Sequence, residues 1–174
     1  MNDVEVHMRV NGVRYRRSVP ARRSLADFLR EDLGHTGTHL GCEHGVCGSC
    51  TVLRNGCSVR SCLTLAAQAD GSDVETVEGL TRPGRLGERL GVALSMYGGL
   101  QCGFCTPGFI ASAVELLETT PDVDESTVRE ALSGNVCRCT GYTGIVAAVL
   151  HVSRELVDGD SDAIEDHLDG VGNE

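Results

Sequence analysis

Hydrophobic and polar side chains alternate from the start of the chain. Val4, Val6, Met8 and Val10 take turns with Glu5, His7 and Arg9, the period-two pattern of a strand with one buried face. Asn11-Gly12 follows, a pair that accepts the left-handed angles of a two-residue hairpin turn. Val13, Tyr15 and Val19 then continue at odd positions on a return strand. After Pro20 the period changes. Ser24 can cap a helix in which Leu25, Phe28, Leu29 and Leu33 recur at helical spacing, and Asp27 stands where a capping box needs it. A glycine- and cysteine-rich loop covers 34–50. Thr51-Val52-Leu53 reads as a strand, Asn55-Gly56 as a second hairpin turn, Ser58-Val59-Arg60 as its partner and 73–77 as a final strand.

This pattern predicts a small mixed sheet crossed by one helix over residues 1–80. Thr81-Arg82-Pro83-Gly84 breaks it, and the domain boundary is expected there. Helical spacing dominates afterwards. The expected helices are 86–97, 107–118 with Pro107 in the first turn, a third from Asp124 to Ser133-Gly134, and a fourth over 141–156. Short links between four short helices suggest a bundle over 81–156. Residues 157–174 are acidic and aperiodic, the composition of a mobile tail. No internal repeat, GxGxxG or P-loop is present, so no nucleotide site is expected.

At 174 residues and 41% hydrophobic, the chain can bury a core, although aromatics make up only 3%. No apolar run approaches the 18 residues of a membrane span, and Met1-Asn2-Asp3-Val4-Glu5 has neither half of a secretory leader. A cytoplasmic protein is expected. The net charge of −10 argues against nucleic acid as a partner. All 15 basic residues are Arg, seven of them in the first 30 positions; an ordinary solvated surface accounts for them more simply than a docking patch does.

The nine cysteines change the picture most. Without a leader, odd in number and packed into two groups, they fit metal ligands better than a disulfide framework. Cys42, Cys47, Cys50 and Cys62 follow the plant-type C-x4-C-x2-C…C order of a [2Fe–2S] cluster. A loop that wraps three ligands around a compact inorganic core needs unusual backbone angles, and Gly41, Gly45 and Gly48 supply them. Turns of this kind also aim N–H groups at sulfur. A structural zinc site is the alternative, but zinc favours two short knuckles over one loop plus a lone fourth ligand.

The second group is Cys102-Gly103-Phe104-Cys105 with Cys137-Arg138-Cys139. Two interhelical turns meeting at one end of a bundle could deliver these four thiolates to another cluster. The C-x-C step is tight for a zinc knuckle, and a thioredoxin-like redox pair lacks its βαβ context. Cys57 belongs to neither quartet and reads as a bystander, with exchange for Cys62 as the alternative. His39 and His44 flank the first loop. A Rieske-type set would use two histidines, but four cysteines already stand in register, so both read as loop surface or as donors to the ligands.

Together the two groups resemble the small iron–sulfur subunit of the molybdenum hydroxylases, the xanthine dehydrogenase, aldehyde oxidoreductase and carbon monoxide dehydrogenase family. The resemblance spans about residues 4–155. It is carried by the string 37–52, by Ser61-Cys62-Leu63 and Val77-Glu78-Gly79-Leu80, and most specifically by two strings. These are Gln101-Cys102-Gly103-Phe104-Cys105-Thr106-Pro107-Gly108 and Asn135-Val136-Cys137-Arg138-Cys139-Thr140-Gly141-Tyr142. It implies an α+β fold: an N-terminal β-grasp, plant-type ferredoxin-like domain followed by a C-terminal four-helix bundle domain, each with one [2Fe–2S] cluster. It further implies a large subunit with molybdopterin and a medium subunit with FAD, in a dimer of heterotrimers. Electrons would pass from molybdenum to the Cys102/Cys105/Cys137/Cys139 cluster, then to the Cys42/Cys47/Cys50/Cys62 cluster, then to FAD. Gln101 and Cys139 resemble the family's pterin contacts. No paired carboxylates or nucleophile–base pair stand out, so no catalytic residue is expected on this chain. A free-standing two-cluster carrier is the competing reading, and the helical domain, which a simple carrier does not need, tells against it. A zinc adaptor is the third reading.

Overall fold

The computed structural model describes residues 3–159. Strands β1 (Asp3–Val10) and β2 (Val13–Pro20) form the first hairpin, with Val10 paired to Val13 across a two-residue turn. Asn11 and Gly12 both take positive φ, 50° and 83°, as such a turn requires. Asn55 and Gly56 do the same, at 52° and 81°, between β3 (Thr51–Arg54) and β4 (Cys57–Arg60). With β5 (Asp73–Glu75) the sheet order is β2-β1-β5-β3-β4, and β1 and β5 run parallel. Val6, Met8 and Val10 are buried while Glu5, His7 and Arg9 are exposed, so the alternation read from the sequence sets the inner face.

The helix expected after Ser24 is shorter and wider than its spacing suggests. One α turn, α1 (Leu25–Asp27), opens into a π turn, Phe28–Asp32. The Ser24 hydroxyl accepts the Asp27 N–H at 3.0 Å, a cap that stabilises by about 1 kcal/mol. Leu25, Ala26, Phe28 and Leu29 are all fully buried, and each large apolar side chain contributes about 2 kcal/mol. Packing therefore outweighs regular α geometry here. The final strand also stops early, because Thr76 leads into α2 (Val77–Leu80). The buried Asn11 side chain fixes that junction: its Oδ1 accepts the Thr76 N–H and its Nδ2 donates to the Thr76 hydroxyl, each at 2.9 Å.

Four longer helices follow: α3 (Leu86–Met96), α4 (Thr106–Thr119), α5 (Glu125–Leu132) and α6 (Thr143–Asp158). The last begins two residues later than its spacing predicts, because Gly141 and Tyr142 are left-handed, φ 68° and 71°. It also runs to Asp158, past the expected end at 156. The rest of the expected tail, 160–174, lies outside the described residues. Among the described residues no helix is long and apolar enough to cross a membrane.

Two cores result. One joins Val6, Val10, Phe28, Leu29, Val52 and Val74; the other joins Leu90, Phe109, Leu117, Val128, Ile145 and Val149. Strand β3 serves both, since Val52 belongs to the first core and its neighbour Leu53 to the second. Helix α6 is tied to α3 by an ion cluster. Glu155, with its side chain 5% exposed, meets Arg89 at 2.8 Å and His151 at 3.0 Å. Breaking a buried pair leaves an uncompensated charge. Glu155→Ala is therefore expected to lower unfolding stability by about 3 kcal/mol, read as a fall in the denaturant midpoint at unchanged slope.

Candidate metal centres

The first quartet is arranged by the loop between the π turn and β3. Arg30 holds the loop entrance by donating to the Thr36 and Thr38 carbonyls at 2.7 and 2.8 Å. Glu78 accepts the Gly37 N–H at 2.8 Å and also the Thr76 hydroxyl. Burial opposes ionisation of Glu78, but these donors keep its pKa below the usual carboxylate value. Glu78 thereby gains a role that its sequence string did not disclose. Farther along, Gly45 and Gly48 have φ of 82° and 76°. A Cβ on Gly45 would lie 2.4 Å from Leu63 Cδ1, so the loop turns against the segment that carries Cys62. Ser61, fully buried, donates its hydroxyl to the Cys50 carbonyl at 2.7 Å. That contact brings Cys62 beside Cys50.

The sulfurs come two by two. Cys42 contacts Cys47 and accepts its N–H at 3.4 Å, while Cys62 contacts Cys50. The Cys47 amide above all, then that of His44, holds the Cys42 thiol down at about 6. Burial, followed by the Cys50 thiol, pushes Cys62 up to about 11. Cys57 opens β4 opposite Arg54, is exposed, and does not replace Cys62 beside Cys50. Both histidines turn Nδ1 toward a backbone carbonyl. His39 donates from Nδ1 to the Phe104 carbonyl at 2.8 Å and stacks on the Phe104 ring; His44 donates from Nδ1 to the Cys42 carbonyl.

The second quartet stands at the N-terminus of α4 and in the 137–142 turn before α6. Cys102 and Cys139 lie 3.5 Å apart, sulfur to sulfur, and both are exposed. Cys105 contacts Cys137, and burial followed by that neighbour pushes Cys105 up to about 12. Burial also acts on Cys137, but the Thr140 hydroxyl, donating at 3.2 Å, and nearby amides lower its pKa overall. Cys102 is lowered chiefly by the Phe104 amide. The Tyr142 hydroxyl accepts the Cys137 N–H at 3.0 Å. Gln101 donates to the Cys139 carbonyl at 2.9 Å, which stitches the two turns together. One cavity of about 270 Å³ is lined by Cys42 and Cys47 from the first quartet and by all four cysteines of the second, with Gly41 and Phe104 between.

Eight thiols in four close pairs, with amides aimed at sulfur, suit two dinuclear clusters. The thiols must be deprotonated to ligate, and the amide donors favour that form. The sequence also left Arg60, Asn135 and Tyr142 without roles. Asn135 and Tyr142 do lie at the two ends of one highly specific string, which was the available signal.

In the metal-free chain, iodoacetamide is expected to alkylate Cys42 at a rate that rises through about pH 6 and then levels off, because a depressed pKa leaves thiolate above that value. Cys62 and Cys105, with raised pKa values, should label only slowly at neutral pH. Site-resolved mass spectrometry checks the order.

Comparisons with known proteins place the chain among iron–sulfur proteins. The family model described as "2Fe-2S iron-sulfur cluster binding domain" matches residues 8–81, and the "[2Fe-2S] binding domain" model matches residues 76–150. The nicotine 6-hydroxylase small subunit of Paenarthrobacter nicotinovorans is 57% identical over 153 residues, 88% of this chain and 92% of that protein. The caffeine dehydrogenase subunit gamma of Pseudomonas sp. (strain CBB1) is 48% identical over 156 residues, 88% of this chain and 93% of that one. Among solved structures, quinoline 2-oxidoreductase from Pseudomonas putida 86 superposes with a TM-score of 0.84 at 45% identity, covering 90% of this chain and 98% of that chain. With two cluster-binding models together matching residues 8–150 and relatives aligned over nearly their full length, the chain belongs to the family of small [2Fe–2S] iron–sulfur subunits of the molybdenum hydroxylases.

Proposed function

We propose that this chain is the electron-transfer subunit of a cytoplasmic, heterotrimeric molybdenum hydroxylase, with one [2Fe–2S] cluster held by Cys42, Cys47, Cys50 and Cys62 and a second by Cys102, Cys105, Cys137 and Cys139. The observation that carries this reading is the gathering of eight thiols into two quartets, with Cys42 and Cys47 of the first lining one cavity together with all four cysteines of the second. Each cluster, when bound, takes up and releases one electron. The chain's own residues set the conditions for that exchange: paired thiols fix the ligand positions, and amides of residues 44–47 and of Phe104 supply hydrogen bonds to sulfur.

The reading extends to the assembly. A large subunit with molybdopterin would cover the exposed Cys102/Cys139 side, where Gln101 and Cys139 would contact the pterin. A medium subunit with FAD would receive electrons from the first quartet. Val46 and Leu63, 62% and 61% exposed, flank ligands of that quartet and offer an apolar rim for such a contact. A dimer of heterotrimers completes the proposal. The relatives named for nicotine, caffeine and quinoline support an N-heteroaromatic substrate, bound on the large subunit.

The test is metal analysis with EPR of the dithionite-reduced complex. About four irons and four acid-labile sulfides per chain are expected, with two distinct S = 1/2 signals. Cys105→Ser should remove one signal and leave the other. Zinc in place of iron would overturn the reading.

A further inference from the structure

Between the two quartets lies a polar junction that neither quartet explains. Asn135 follows α5, is 3% exposed, and precedes Cys137 by two residues. Its Nδ2 donates to the Gly48 carbonyl at 3.3 Å, and its Oδ1 accepts the Ser112 hydroxyl of α4 at 3.1 Å. The Gly48 carbonyl also accepts the Thr51 N–H at 3.1 Å and the Thr51 hydroxyl at 2.6 Å. Arg60 closes the figure from β4, donating to the Thr51 hydroxyl and to the Gly134 carbonyl, each at 2.6 Å.

No side chain could replace hydrogen at the close approaches. A Cβ on Gly48 would meet the Gly134 oxygen at 2.6 Å, and one on Gly108 would meet the Gly48 oxygen at 2.2 Å. Backbone therefore lies directly against backbone, and one direct hydrogen bond results: Val136 N–H donates to the Cys47 carbonyl at 2.9 Å. Cys47 belongs to the first quartet, and Val136 is bonded to Cys137 of the second. A single hydrogen bond thus separates a ligand residue of one quartet from a ligand residue of the other along the chain.

We propose that Asn135, oriented by Ser112 and backed by Arg60, is a positioning residue that fixes the separation of the two clusters and maintains the Val136–Cys47 link between them. The inference rests on the two-cluster reading above. The exchange it would support is a one-electron step: the electron lost by one bound cluster would be the electron gained by the other, with no bond broken and no proton moved. An unpaired Asn is costly to bury, so this amide keeps its place only while both of its partners remain in theirs.

The test uses the holoenzyme carrying Asn135→Ala, reduced with dithionite. Two nearby S = 1/2 centres split each other's EPR lines at low temperature, and that splitting depends steeply on separation. The variant is expected to keep wild-type iron content and both signals, while the mutual splitting shrinks or vanishes. Hydrogen exchange at the Val136 amide should quicken about tenfold, the scale of one lost buried hydrogen bond. Ser112→Ala should move both readouts the same way by less. Unchanged splitting and exchange at full iron content would overturn the proposal. If Asn135→Ala loses iron or fails to fold, Ser112→Ala and Arg60→Met decide: wild-type splitting in both overturns it, and weakened splitting in either supports it. Absence of two S = 1/2 signals in the unaltered protein would instead sink the two-cluster reading.

Discussion

The molecule depends on one strand being buried on both faces. In β3, Thr51, Val52 and Leu53 are each at most 2% exposed, so consecutive side chains enter different cores. Such a strand tolerates no slip of register, because a shift by one residue would exchange the two sets. Cys50 ends the loop immediately before it, and Ser61 and Cys62 immediately follow its partner β4. The same strand that joins the sheet to the helices therefore also fixes where the first quartet begins and ends.

From that strand outward, the sites are built by side chains that grip the backbone of the ligand residues. Ligand sulfurs are steered by carbonyls and amides: Ser61 grips the Cys50 carbonyl, Tyr142 takes the Cys137 amide, and Gln101 holds the Cys139 carbonyl. Glycines with positive φ stand where the loop must reverse without a side chain, as at Gly45 and Gly48. A scaffold of this kind places thiols closely while leaving their acidities unequal, from about 6 at Cys42 to about 12 at Cys105. Amide donors account for the low value and burial for the high one.

Much of this was legible in the sequence because the controlling signals are local. Alternation from Val4 to Val10 marked the inner face of β1, Asn-Gly pairs marked both hairpins, and the cysteine spacings marked both quartets. Other features were hidden because they are set by tertiary packing. The widening of α1 into a π turn follows from burying Phe28 and Leu29 together, which no spacing rule encodes. The final strand was expected to run to Val77, where α2 begins, and 78–80 were assigned no element, since four residues carry little period. Glu78 and Asn135 act across 41 and 87 residues of sequence, and only the fold brings their partners within reach.

The openness of the second quartet has a biological cost. Cys102 and Cys139 are exposed, and the Phe104 amide favours the thiolate of Cys102, the form that oxidants attack first. A chain released alone from the ribosome would carry this chemistry uncovered on its surface. Matched supply of whatever covers it becomes a matter of sulfur chemistry as well as of stoichiometry.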